Sequence, residues 1–327
     1  MPSSITHAFF AIDIYEKLDR DVQKRIKNIE NFKTFAQGSD PLNFYNLGTI
    51  LPGKKIRENY PKLIHTTNTK NYFITLIKYI KGNKLEKNSN VLSLLYGSIA
   101  HYTLDSIVHP FVIYKTGDFD KKNKNTYKYN GMHADMEVYI DGYMIFQREK
   151  VFPKDYKIHN FICNLDNLDS KCIKMLDDVF KSVYDIDNFS KIYLTSIKQM
   201  KKIFQLYRYD KYGIKKLGYK FIDFVLPDKY LKKQGLSYNV HHKKKIHYLN
   251  LERKEWNHPM NKNEIYNYSF IELYRIALDK AVYTINVVND YLYNDKNEKI
   301  LDEVFKNLSY KTGKDCDKKD KCQYFEF

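Results

Sequence analysis

In the stretch "HYTLDSIVH", residues 101–109, His101, Asp105 and His109 recur at every fourth position. An α-helix turns about 100° per residue, so these side chains fall on one stripe of a helix. "HADMEV" repeats the spacing with His133 and Glu137. Imidazole nitrogen and carboxylate oxygen are the donors zinc takes in mixed sites, and an i,i+4 pair presents two at once. A lone His/acid pair at this spacing is an ordinary surface interaction. Here the first set stands among Ile99, Leu104, Ile107 and Val108. Burying that many ionisable groups without a cation is costly. The pattern therefore predicts a site for more than one metal ion. His7 and His65 add imidazoles, and Asp40 and Asp141 add carboxylates. Pro110 biases His109 away from helical geometry, so the helix is expected to end there, with His109 turned toward a second metal.

The elements that must carry these residues are helices. Phe9, Phe10, Ile14, Leu18, Val22 and Ile26 predict one helix over about 6–29. Similar spacing predicts helices near 69–81, 90–109, 133–149, 170–184 and 189–207. Ile271, Tyr274, Leu278, Ala281, Ile285, Val288 and Leu292 make the most regular stripe, read as core packing. Residues 115–132 and 227–264 read as polar, basic loops. Trp256 in the second is expected to be a buried anchor, in preference to an interfacial residue. The basic run "HHKKKIH", 241–247, reads as loop more than as a metal or phosphate site. No period-2 alternation runs long enough to build a sheet. The expected fold is all-α, a multi-helix bundle with a metal cluster in a cleft. The chain is read as one domain over 1–327, with the metal motifs in 7–141 and a helical C-terminal extension over 151–327.

A chain of 327 residues has ample length for such a core. No segment approaches the unbroken apolar run of a membrane span. "MPSSITHAFF" lacks the basic start and long apolar stretch of a secretory signal. The cytoplasm is the expected location, favoured by Met1, with a mature secreted form left open. The net charge of +16 favours anionic partners, whether phosphate esters, an anionic membrane surface or nucleic acid, without choosing among them. No stable protein partner is predicted. Cys163, Cys172, Cys316 and Cys322 form no C-x-x-C pair, which argues against a thiolate zinc site, and free thiols are expected.

"GSDP" (38–41), "HTTNT" (65–69), "GSIAHYTLDSIVHPF" (97–111), "HADMEVYID" (133–141) and the early "ITHAFFA" with His7 together resemble the bacterial zinc-dependent phospholipase C family. The resemblance implies a helical fold holding two or three Zn²⁺ ions at the base of a cleft. It implies one zinc on Asp40, His65, His101 and Asp105, and a second on His109, His133 and Glu137. A third would rest on His7 and the shared Asp105, completed in secreted relatives by the amine of a processed N-terminus. Here Met1 and Pro2 precede His7, and the Pro2 amine, freed by loss of Met1, is the candidate for that place. Asp40 is also the candidate for orienting or deprotonating an attacking water. Asp141 is read either as an acceptor behind a ligand histidine or as an ordinary exposed acid.

The function these residues imply is a zinc-dependent phosphodiesterase that cleaves the glycerol–phosphate ester of phospholipids or related phosphodiesters. The alternatives are a zinc-dependent nuclease of related fold and a non-catalytic, metal-stabilised binding protein.

Overall fold

The stretch 6–29 is three helices. The structure, a computed structural model that describes residues 4–47, 49, 51–241, 243, 245–294, 296–318 and 321–326, divides it into α1 (Ser4–Lys17), α2 (Arg20–Gln23) and α3 (Ile29–Phe35). Asp19 leaves helical geometry ahead of α2. Asn28 Oδ1 accepts the Glu30 and Asn31 N–H groups that open α3. Polar residues of this kind satisfy the free donors of a helix start, so they break a helix without interrupting its apolar stripe. Leu18, Val22 and Ile26 are all buried as the stripe requires.

Next come α4 (Lys54–Thr66), α5 (Thr69–Gly82), α6 (Ser89–Thr116) and α7 (Met132–Glu149). The short α8 (Ile158–Phe161) leads to α9 (Ser170–Tyr184) and α10 (Phe189–Ile203), and α10 runs into a single π-turn at Phe204–Arg208. α11 (Ile214–Val225), α12 (Phe270–Tyr293) and α13 (Lys299–Val304) complete the helices. The sequence reading places no helix at 54–66, where Pro61 and many charges blur the pattern, nor at 214–225. It also predicts no sheet, whereas β1 (Trp256–His258) and β2 (Asn261–Tyr266) form an antiparallel hairpin. Two strands this short do not alternate long enough to be read from spacing. The hairpin holds Trp256, buried against Phe111, Tyr114 and Tyr266 with its Nε1–H donating to the Tyr268 carbonyl.

α6 is the axis of the molecule. α12 lies along it, and α1, α3 and α7 pack on its other sides. It is long and apolar enough to cross a membrane, yet most of its surface is buried inside this fold. The buried stripe of α12 (Ala277, Ala281, Ile285 and Val288) covers α6. Each large aliphatic side chain buried there contributes about 1.5–3 kcal/mol. Asn88 caps the start of α6 through the Asn90 and Val91 N–H groups.

Pro110 lies inside α6, so the expected helix end at His109 is wrong. A proline in a helix removes one N–H, leaving the carbonyl four residues back without its donor. That carbonyl is Ser106 O, and the backbone of Gly313 seats against it. Gly313 has φ +63°, and a Cβ there would stand 2.3 Å from Ser106 O. The Gly313 N–H itself donates to the Ser309 carbonyl, so the glycine packs against the freed carbonyl without supplying its missing donor.

Candidate metal centre

Three groups of donor atoms line the interior between α1, α4, α6 and α7. His7, His101 and Asp105 form one, Asp40, His65 and His101 the next, and His109, His133 and Glu137 the third; within each group the atoms lie within 4.8 Å of one another. Every residue singled out as a candidate ligand is therefore in a group. His101 is the residue common to the first two, and Asp105 groups with His7 and His101. The stripe at 101, 105 and 109 is real, and it reaches from the buried groups to the third without a break in the helix.

Each histidine is aimed by its backbone surroundings. His101 Nδ1 lies 3.2 Å from the Ala36 carbonyl, and His109 Nδ1 lies 3.2 Å from the Tyr310 carbonyl. A carbonyl only accepts, so each Nδ1 carries the proton and each neutral ring keeps a lone pair on Nε2. Burial pushes His65, His101 and His109 toward that neutral form. His101 Nε2 stands 3.1 Å from His65 Nε2, which also meets Ser39 Oγ at 2.8 Å. His109 Nε2 stands 3.3 Å from His133 Nε2, and His133 Nε2 lies 2.8 Å from Glu137 Oε1.

Gly38 makes room for this arrangement. It turns the chain with φ +53°, and a Cβ there would fall 2.1 Å from the His101 ring. The same turn delivers Ser39 and Asp40, and Tyr193 fixes it by donating its hydroxyl to the Gly38 carbonyl. Asp40 begins a short 3₁₀ turn, Asp40–Phe44, with its carboxylate oxygen 3.8 Å from His65 Nε2.

The carboxylates supply the test of fit for a cation. Asp105 is fully buried, and neither of its oxygens accepts a hydrogen bond; Asp40 Oδ1 is in the same position. A buried carboxylate without donors is costly, and burial drives both of these acids toward the neutral form. Their nearest nitrogens are His7 Nε2, 3.3 Å from Asp105 Oδ1, and His101 Nε2, 3.4 Å from Asp105 Oδ2. Zinc bonds of about 2.0–2.1 Å in a tetrahedral shell set neighbouring donors about 3.3 Å apart. Donor set, spacing and unpaired buried charge all suit zinc.

Asp141 has neither of its expected roles. It is fully buried and accepts the Ile5 and Thr6 N–H groups, the Thr6 hydroxyl at 2.6 Å and the Tyr238 hydroxyl at 2.7 Å. It is the anion at the start of α1, and it fixes the helix that presents His7. The expected Pro2 amine lies outside the described residues. So do His242 and Lys244 of "HHKKKIH"; in the same run Lys245 pairs with Asp135.

The sequence reading missed Tyr310. Its N–H donates to the His65 carbonyl, its carbonyl takes the His109 proton, and its ring packs on His65 and His101. Backbone atoms leave no residue signature, and "SYKTGK" shows none.

Beyond the groups opens a cleft of about 430 Å³. His65, His109, His133 and Glu137 form its floor, Lys62 and Lys311 stand on its wall, and Phe119, Tyr129 and Leu231 supply apolar surface. The loop after α6 contributes Gly117, Asp118 and Phe119 to that wall. A floor of metal donors with lysines beside it suits a phosphoester.

A family model described as zinc dependent phospholipase C matches residues 6–186, more than half of the chain. No curated protein and no solved structure matches.

Proposed function

Because the chain belongs to the zinc-dependent phospholipase C family, we propose that it hydrolyses the glycerol–phosphate ester of a phospholipid, releasing diacylglycerol and a phosphorylated head group. The observation that carries this reading is Asp105, a buried carboxylate with no hydrogen-bond donor, facing His7 and His101 at the spacing of zinc donors.

Two or three zinc ions would be held by Asp40, His65 and His101 with one oxygen of Asp105, by His109, His133 and Glu137, and by His7 with the other oxygen of Asp105; His101, with one lone pair, serves a single ion. Bound there, zinc supplies Lewis acidity toward phosphoryl oxygens and lowers the pKa of water. The chain's own residues do the rest. The carbonyls of Ala36 and Tyr310 hold the His101 and His109 protons on Nδ1, keeping Nε2 as a donor atom. Lys62 draws the phosphate to the cleft, and Lys311, paired with Asp118 at 2.6 Å, lies beside it. Asp40, buried beside His65, orients the attacking water and takes its proton on the carboxylate oxygen not given to zinc. The water oxygen bonds to phosphorus, the glycerol oxygen departs, and solvent returns a proton to it.

The test begins with elemental analysis of untagged protein purified without added metal, followed by assays on phospholipid and on single-stranded nucleic acid. Zinc-dependent release of phosphorylated head group supports the reading. Zinc-dependent cleavage of nucleic acid alone would replace it with the nuclease.

A further inference from the structure

α11 is built inside out. Its sequence, IKKLGYKFIDFV, sets Ile214, Leu217, Phe221, Phe224 and Val225 on one face about 100° wide. In an ordinary surface helix that face meets the core. Here it meets solvent: Ile214 is 73% exposed, Leu217 71%, Phe221 69% and Phe224 88%. No residue of α11 is buried.

The polar face is the one turned inward, and it is bonded to the protein along its length. Asp210 accepts the Lys215 and Lys216 N–H groups at the helix start. Lys215 and Lys216 donate their ammonium groups to the Tyr209 and Asn239 carbonyls, at 2.7 and 2.6 Å. The Tyr219 hydroxyl donates to the Tyr207 carbonyl, and Asp223 accepts the Lys233 and Gln234 N–H groups. These bonds fix the outward orientation of the apolar side chains. Tyr207, Tyr212 and Tyr230, in the segments flanking α11, are exposed as well.

We propose that α11 is an interfacial anchor that lays the protein on an anionic phospholipid surface with the cleft facing the bilayer. An amphipathic helix with aromatic and aliphatic residues on one side and lysines around it is the chemistry that seats at the headgroup boundary. Lys220 and Lys229 are exposed beside the patch, and a chain of net charge +16 favours an anionic leaflet. The chain leaving α11 runs directly to the cleft. Asn130 donates to the Asp228 and Tyr230 carbonyls and accepts the Lys232 N–H, and Leu231, half exposed, stands in the cleft wall with His133 and Glu137. Leu231 thus ties the segment that follows the anchor to the wall of the cleft. A second copy of this chain fits the patch less well. A 12-residue helix face is about 18 Å long and 10 Å wide, far short of the roughly 800 Å² per partner in a stable interface.

The choice of a lipid surface rests partly on the phospholipase C reading, so the test measures binding apart from turnover. Wild-type protein and the F221D/F224D variant are sedimented with vesicles of equal parts phosphatidylcholine and phosphatidylglycerol. Both are also assayed on a water-soluble short-chain phospholipid below its micelle concentration. The expected result is at least a 10-fold loss of vesicle partitioning by the variant, with an unchanged melting temperature and unchanged rate on the soluble substrate. F224W supplies a second readout, since Trp256 is buried: its emission should shift to the blue when vesicles are added. Equal partitioning of wild type and variant, or no emission shift, overturns the proposal. So does a wild-type dimer in ultracentrifugation that the variant lacks, with no vesicle binding, which would assign the patch to a second copy. Vesicle binding that depends on Phe221 and Phe224, without hydrolysis of any phospholipid, would sink the proposed reaction and leave the anchor standing.

Discussion

Asp105 concentrates the chemistry of the centre in one side chain. It has no hydrogen-bond donor to replace a lost cation, and both of its oxygens point at histidine nitrogens. Asp105→Asn keeps the shape and removes the charge. It is expected to lower zinc per chain in elemental analysis and to cost more activity than the roughly 10–100-fold seen when a partner of a metal ligand is lost. Full zinc and full activity in that variant would contradict the ligand assignment. Gly38 makes a contrasting test, because it bears no functional group. A Cβ there would collide with the His101 ring and would need a left-handed backbone that costs about 1 kcal/mol or more. Gly38→Ala should therefore lose zinc by displacing His101, and a variant with wild-type zinc content would show that the turn has slack.

At the scale of elements, two remote contacts decide whether the helices stand where the ligands need them. Asp141 on α7 collects four hydrogen bonds from α1 and Tyr238. Asp141→Ala strands those buried donors and should cost about 3 kcal/mol in urea unfolding, in the range for lost bonds to a charged group. A loss under 1 kcal/mol would mean that water or another side chain substitutes. Gly313 sits in left-handed backbone tight against the Ser106 carbonyl, so Gly313→Ala should lower the melting temperature and, by shifting Tyr310, loosen His109. The sequence exposed part of this and hid the rest for definable reasons. His101, Asp105, His109, His133 and Glu137 are legible because helical spacing alone gathers them. His7, Asp40 and His65 have no local pattern in common, and only the family resemblance joined them to the others before the fold did. Pro110 misled because the rule for prolines is local, whereas α6 is held by the helices packed around it and continues through one. α11 went unread as a helix although its stripe is regular, and its reversed orientation lies beyond any pattern, since period says which residues share a face and not which way the face turns.

Across the whole molecule, zinc bound at these groups would act as a structural member. A ligand that binds only the folded chain stabilises it by mass action, and here it also compensates buried charge. Chelation should lower the melting temperature in calorimetry, and re-added zinc should restore it; a temperature unmoved by chelation would mean that the core tolerates the bare donors. The family match ends at residue 186, but the fold does not. α12 covers α6, and Tyr310 and Gly313 reach back to the centre. A chain ending at 186 is expected to lack the far-ultraviolet dichroism of a folded helical protein. Tyr310 also imposes a timetable on biosynthesis. The last candidate zinc donor, Glu137, leaves the ribosome long before the carbonyl that orients His109. At the usual 5–20 residues per second that interval is on the order of 10–30 s. Through it His109 lacks the carbonyl that holds its Nδ1 proton, so the group of His109, His133 and Glu137 is expected to take up zinc only after the segment bearing Tyr310 has folded back on it.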